Sequence, residues 1–251
     1  MTDYFDLRVS VEEKEFKETV DIAQRLGWSG IALVKKTQDL NEFLKFKDSV
    51  SKLRAQIKTW ACVELHPTKD VQNLARKFRK DTDIIYVSGD DSTNRAASEC
   101  LEVDCISSPV KPDQKDFMHQ KNSGIDYTIA RSCAERGIAV EVNFSEIINY
   151  YGKLGSQLMA RIQQNVKICS DTKTPVIMTS GATNPLELRA PREIMAVGNS
   201  LGLDGIALSK VPLEVIGKTD RRNNPNIIIK GLEIQNWGDT NPKEKKLYGW
   251  Y

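Results

Sequence analysis

Residues 27–50 read GWSGIALVKKTQDLNEFLKFKDSV, and this stretch holds one complete strand–helix unit. Gly27 follows a helical pattern in which Phe16, Val20 and Ala23 share a face, and it supplies the stop. Ile31–Val34 is a short apolar run that reads as a strand. Phe43, Phe46 and Val50 then recur at helical spacing. Working outward, the same rhythm extends in both directions. Strands are expected at Tyr4–Val9, Ile31–Val34, Thr59–Leu65, Ile84–Val87, Val103–Ile106, Ala139–Asn143, Val176–Thr179 and Gly205–Leu208. Helical spacing returns between them, at Ile125, Ile129 and Cys133. The longest run carries Ile147, Tyr151, Leu154, Leu158, Ile162 and Val166.

Strict alternation of strand and helix implies a parallel sheet, because parallel neighbours need a crossover and helices supply it. Eight units in 251 residues match an α/β fold of the TIM-like (β/α) barrel type. An open doubly wound sheet is the alternative. No G-x-G-x-x-G follows the first strand, so a dinucleotide fold lacks its fingerprint. Residues 1–220 are expected to form the barrel and residues 221–251 a C-terminal extension with a partly disordered tail. Asn223-Asn224-Pro225 breaks the chain, Ile227–Ile229 suits one more short strand, and Asn236–Tyr251 is polar and punctuated by Gly and Pro.

Composition narrows the function classes. Hydrophobic residues make up 40% and charged residues 28%, enough apolar material for a sizeable core. Five cysteines with no C-x-x-C spacing point to buried, reduced thiols and a cytoplasmic setting. The amino terminus is polar and acidic, unlike a secretion signal, and no apolar run approaches about 18 residues. Net charge is only +2, so a polyanion-binding surface has to come from local clustering.

Histidine is scarce: only His66 and His119 are present, which excludes a histidine-rich polymetal centre. No G-x-S-x-G elbow and no P-loop occur. Carboxylates do gather near expected strand ends, at Asp3, Asp6, Glu64, Asp90, Asp91 and Glu141, where they could converge on a divalent ion. The stronger reading is structural: Asp90 and Asp91 precede the helix Ser92–Leu101 and fit its amino-terminal dipole.

Basic residues recur beyond the same strand ends: Lys35 and Lys36, Arg95, Lys111 and Lys115, Arg189 and Arg192, and Lys210. In a barrel these share the carboxyl-end face. Lys111 and Lys115 fall in a long polar loop, Ser107–Ser123. Arg189 and Arg192 bracket Ala190-Pro191, where proline suits the first helical position and alanine offers no capping acceptor. The amide hydrogens of Arg192 and Glu193 are then available to a phosphate that the arginines also attract. The plainer alternative pairs Glu193 with Arg189. The tail adds Trp237, Tyr248, Trp250 and Tyr251 beside Lys243, Lys245 and Lys246, a composition suited to stacking and phosphate contact or to an ordinary frayed end.

The segments Gly27–Val34, Val63-Glu64-Leu65, Val87–Asp90 with Asn94–Ala97, Gly137–Asn143, Thr179–Ala182 and Leu188–Glu193 stand in one order. Together they resemble the ribonuclease P protein component 3 family, archaeal relatives of the thirty-kilodalton eukaryotic subunit, over about Tyr4 to Ile216. The resemblance implies a (β/α) barrel in a ribonucleoprotein that removes the 5′ leader from precursor tRNA. It implies that RNA carries the chemistry and that Mg²⁺ serves that RNA, with no cofactor, metal or catalytic residue on this chain. The implied partners are the ribonuclease P RNA, a small RRM-like subunit, other ribonuclease P proteins and, indirectly, precursor tRNA. The expected RNA-binding residues are Lys35, Lys36, Arg95, Lys111, Lys115, Arg189 and Arg192. The barrel also resembles the PHP phosphoesterases, whose first strand carries Asp-x-His-x-His. Here Asp6-Leu7-Arg8-Val9-Ser10 places arginine and serine at the two histidine positions. Two other readings remain: a free-standing metal-dependent phosphoesterase of the PHP type using Asp3, Asp6, Glu64, Asp90 and Glu141, and a metabolic barrel whose clamp holds a sugar phosphate.

Overall fold

The structure, a computed structural model, describes residues 2–67, 70–111, 115–116, 118, 121–229 and 232–238. Seven strands run in the order of the sequence: β1 (Phe5–Val9), β2 (Gly30–Lys36), β3 (Lys58–Leu65), β4 (Ile85–Val87), β5 (Cys105–Ile106), β6 (Ala139–Asn143) and β7 (Val176–Thr179). Every adjacent pair is parallel. Helices cover the outside: α1 (Phe16–Leu26), α2 (Leu40–Ser51), α3 (Val71–Phe78), α4 (Asp91–Glu99), α5 (Tyr127–Arg136), α6 (Phe144–Asn149), α7 (Gly152–Thr172) and α8 (Pro191–Leu201). This is a TIM-like (β/α) barrel, nearly closed.

Alternation along each strand builds two cores. Outward residues such as Ile31, Leu33, Val63 and Ile85 pack under the helices with Phe43, Phe46 and Phe78. Inward residues fill the barrel: Phe5, Leu7, Ala32, Val34, Cys62, Tyr86, Cys105, Ala139 and Ile177. Several are small, as a seven-stranded interior requires. A last helix, α9 (Lys210–Asn223), closes the amino end of the barrel with Val211, Val215 and Ile216. Lys218 Nζ donates to Val103 O at 3.0 Å, and Thr219 Oγ1 donates to Asp83 O, fastening α9 beneath β4 and β5.

The expected eighth strand is absent: Gly205–Leu208 forms a 3-10 turn. The Asp204 carboxylate accepts from Ile206 N at 3.0 Å and its carbonyl from Ala207 N at 3.1 Å, so local bonding takes the amides a strand would offer. The gap between β7 and β1 is instead closed by a single bridge, Val9 to Ala182. Ser10 N donates to Ala182 O at 2.8 Å and Ser180 N to the Asp6 carboxylate at 3.1 Å. Lys210, expected beyond that strand, starts α9 and pairs with Glu214.

The longest helical run is also two helices. Extended backbone at Tyr150 and Tyr151 ends α6 before α7 begins at Gly152, which has φ of 62°. The expected final strand is present as β8 (Ile227–Ile229), paired antiparallel with β9 (Leu232–Glu233). Helix α9 runs through residue 220, so barrel and extension join within a helix. His119 and the tail aromatics and lysines beyond residue 238 lie outside the described residues.

Candidate nucleic-acid interface and the barrel mouth

The carboxyl end of the barrel is organised by Arg8. Register slips by one residue between Asp6, paired with Ile31, and Val9, paired with Leu33. Phe5 and Leu7 belong to the inner core and Val9 to the outer one, so this bulge puts Arg8 on the inner side directly after Leu7. Its guanidinium forks between two acids. Nη2 lies 2.8 Å from Glu64 Oε2 on β3, and Nη1 lies 2.6 Å from Glu141 Oε2 on β6. Nη1 also donates to Ser107 Oγ, just beyond β5. Glu141 accepts further bonds from Ser107 Oγ at 2.7 Å and from Thr179 Oγ1 of β7 at 2.6 Å. One network therefore spans β1, β3, β6 and β7 and the end of β5. Burial works against the arginine's charge, but Glu141 and then Glu64 more than offset it and hold the group above its usual range.

Of the six carboxylates near strand ends, only Glu64 and Glu141 meet across the mouth. Asp6 is fully buried on the seam side, where its Oδ1 accepts from Arg8 N and Ser180 N, and burial raises its pKa to about 6. Asp3 accepts from Ser29 Oγ at 3.0 Å, at the amino end of β2. Asp90 caps α4, accepting from Thr93 N at 2.8 Å, and Asp91 opens that helix. His66 is a turn residue with Nδ1 3.3 Å from Ser88 Oγ.

The seven basic residues fall into three groups. Lys36 ends β2 in register with Glu64, so alternation turns it toward the mouth; it is exposed. Lys35 faces the helix layer and pairs with Glu42 at 3.0 Å. Beyond β4 and β5 stand Arg95, paired with Asp126 at 3.2 Å, Lys111, whose Nζ donates to Ser108 O at 3.3 Å, and the exposed Lys115. Arg189 and Arg192 form the third group, down the flank. The indole of Trp28, which precedes β2, donates to Arg189 O at 3.0 Å, drawing this segment toward the α1–β2 connection and away from the mouth. The Arg189 guanidinium braces its own loop, donating to Leu186 O and Leu188 O at 2.9 and 3.0 Å. The start of α8 is largely self-satisfied. Glu193 N donates to Ala190 O at 3.0 Å, and the Glu193 carboxylate accepts from Ala190 N at 3.2 Å. Glu193 thus caps its helix rather than pairing with Arg189. Arg192 is exposed and, like Lys36, forms no ion pair among the described residues.

The long polar loop after β5 is tied down at its described residues Lys111, Asp116, Lys121 and Ser123. One face of α7 holds it through Arg161, Gln164 and Asn165. Arg161 Nε meets Asp116 Oδ1 at 2.9 Å and Nη1 donates to Lys111 O at 2.8 Å, while Asn165 Nδ2 donates to Ser123 O at 2.8 Å. Beside this strap lies a cavity of about 410 Å³ bordered by Arg95, Lys121, Asp126, Tyr127, Gln164 and Lys167. Lys121 and Lys167 extend the basic group around Arg95, and the sequence reading missed both. Lys167 lies on a long helix whose register against the loop only the fold reveals. Arg8 was missed as an ion-pair partner, although a charge inside an apolar strand demands one. The five cysteines are buried and unpaired, and burial pushes Cys133 and Cys169 up to about 12.

The model of the family described as RNase P subunit p30 matches residues 3–224. Ribonuclease P protein component 3 of Methanosarcina barkeri is 28% identical over 232 residues, covering 89% of this chain and 92% of its own. The protein of that name from Methanothermobacter thermautotrophicus is 26% identical, covering 84% and 86%. Among solved structures, a chain in the cryo-EM structure of archaeal ribonuclease P with mature tRNA superposes with a TM-score of 0.75. It is 21% identical and covers 94% of this chain and all of that one. A prolidase crystal structure at 9% identity and a TM-score of 0.54, covering 87% and 75%, shares the barrel fold alone. With the family pattern running from β1 to the end of α9, the chain belongs to the RNase P subunit p30 family.

Proposed function

We propose that this chain is a non-catalytic protein subunit of ribonuclease P that binds and supports the catalytic RNA during removal of the 5′ leader from precursor tRNA. The observation that carries this reading is the family match along the whole barrel, residues 3–224. The finer assignments rest on it. The partners are the ribonuclease P RNA, a small RRM-like subunit and the other proteins of the particle, with precursor tRNA met indirectly. Mg²⁺ belongs to the RNA, and the particle works in the cytoplasm. No helix among the described residues is long and apolar enough to cross a membrane.

Lys36, Arg95, Lys111, Lys115 and Arg192 contact phosphates of folded RNA. Lys35 and Arg189 contribute mainly by fixing the surfaces that carry them, in keeping with their bonds to Glu42 and to the Leu186 and Leu188 carbonyls. Structured RNA hides its base edges, so backbone and shape contacts dominate and affinity falls steeply with salt. The test is reconstitution. Precursor-tRNA cleavage is measured with the RNA and partner proteins, with and without this chain, and omission is expected to lower the rate at fixed Mg²⁺. An unchanged rate rejects the reading.

A further inference from the structure

We infer that Arg8 is a built-in cation standing where a hydrolytic barrel of this type would need a metal ion, and that it makes the mouth chemically silent. The barrel's resemblance to the PHP phosphoesterases implies a metal at this end, and the residues present do not fit one. Glu64 and Glu141 are 2.8 and 2.6 Å from the two ends of a single guanidinium, and a third carboxylate near them, Glu146, is held by Ser108 and also feels the Arg8 charge. A divalent cation between Glu64 and Glu141 would meet that fixed positive charge at contact distance. Glu141 is also engaged by the Ser107 and Thr179 hydroxyls at 2.7 and 2.6 Å, and its side chain is fully buried. Among the described residues no group of three or more His, Cys, Asp or Glu side chains is arranged to hold a metal.

The bulge in β1 gives the substitution its geometry. Without the extra residue between Asp6 and Val9, strict alternation would turn Arg8 away from the inner side that Leu7 occupies and onto the outer face, leaving Glu64 and Glu141 without their shared cation at the mouth. With it, the guanidinium links strands on opposite sides of the barrel. A planar fork suits two carboxylates held apart, where a lysine's point charge does not. The arginine thus does a metal's structural work, holding β1, β3 and β6 together. It offers no open coordination position and no acidic water, so no phosphoester is activated there.

The experiment is a metal-dependent melting titration of the full chain. In Arg8→Ala the acids lose their cation, and the melting temperature is expected to fall by on the order of 10 °C. MnCl₂ is then expected to restore it saturably, against NaCl of matched ionic strength. The unaltered chain is expected to show no such response. A saturable Mn²⁺ response in the unaltered chain, or none in Arg8→Ala, overturns the inference. The triple variant Arg8→Met, Glu64→Gln, Glu141→Gln covers the case in which Arg8→Ala does not fold. It is expected to fold without metal and ignore Mn²⁺, and if it also fails to fold, charge replacement is not what Arg8 does. RNA takes no part in these measurements, so their failure leaves the ribonucleoprotein reading standing.

Discussion

At the scale of single residues, position in the network separates charges that hold the fold from charges offered to a partner. Arg8 joins two buried acids, and removing one member of such a set leaves the others uncompensated, at a cost of about 3–5 kcal/mol. Urea unfolding of Arg8→Ala without added metal should show that loss; a change under about 1 kcal/mol would mean the acids are neutralised some other way. Arg192 is the opposite case, exposed and without an ion pair among the described residues. Arg192→Ala should keep the melting temperature. It should also lower the slope of log affinity against log salt for the RNA by about one. Arg189→Ala should lower stability as well, because its guanidinium ties down the Leu186 and Leu188 carbonyls. Sequence alone exposed Glu64, Glu141 and the arginine at a histidine position as separate oddities. Their union was hidden, because the bulge that re-aims Arg8 depends on pairing with β2.

At the scale of elements, periodicity disclosed seven strands and most helices, and it failed where local bonding overrode it. Gly205–Leu208 has a strand's composition, yet Asp204 captures its amides into a tight turn. The run from Ile147 to Val166 keeps helical spacing across a break, because periodicity does not register two extended tyrosines. The anchors of the Ser107–Ser123 loop were hidden for the same reason: Arg161, Gln164 and Asn165 lie some forty residues away. Arg161→Ala should therefore raise amide exchange between residues 108 and 123 and leave β6 protected. Equal exchange in both proteins would show that the strap holds nothing. Gly181 is a tight junction, with φ of 63° and no room for a Cβ, which would collide with Asn143 Oδ1, the acceptor that caps α6. Gly181→Ala combines left-handed strain with a disturbed cap and should cost about 2–3 kcal/mol in chemical denaturation. A neutral result would mean the loop after β7 shifts freely.

For the whole molecule, acid response and assembly are the informative properties. Asp6 is buried at the seam and its pKa is raised from 3.8 to about 6, burial outweighing its hydrogen bonds. A raised carboxyl binds its proton more tightly in the folded chain than in the unfolded one. Its contribution to stability is therefore highest below about pH 4, falls as pH rises toward 6, and stays low above. Asp6→Asn keeps an acceptor for Ser180 N and removes the buried charge. Relative to the natural chain it should gain on the order of 2 kcal/mol between pH 4 and pH 7, read from paired urea curves. A constant difference across that range would contradict the assignment. The central claim is that the barrel serves an RNA whose chemistry it does not perform. The most direct test is precursor-tRNA cleavage by the reconstituted particle, with this chain present, absent, or added alone to the substrate. The account predicts a faster reaction when the chain joins the RNA and its partner proteins, and no cleavage by the chain alone. Cleavage by the isolated chain, or a particle indifferent to its omission, would contradict it.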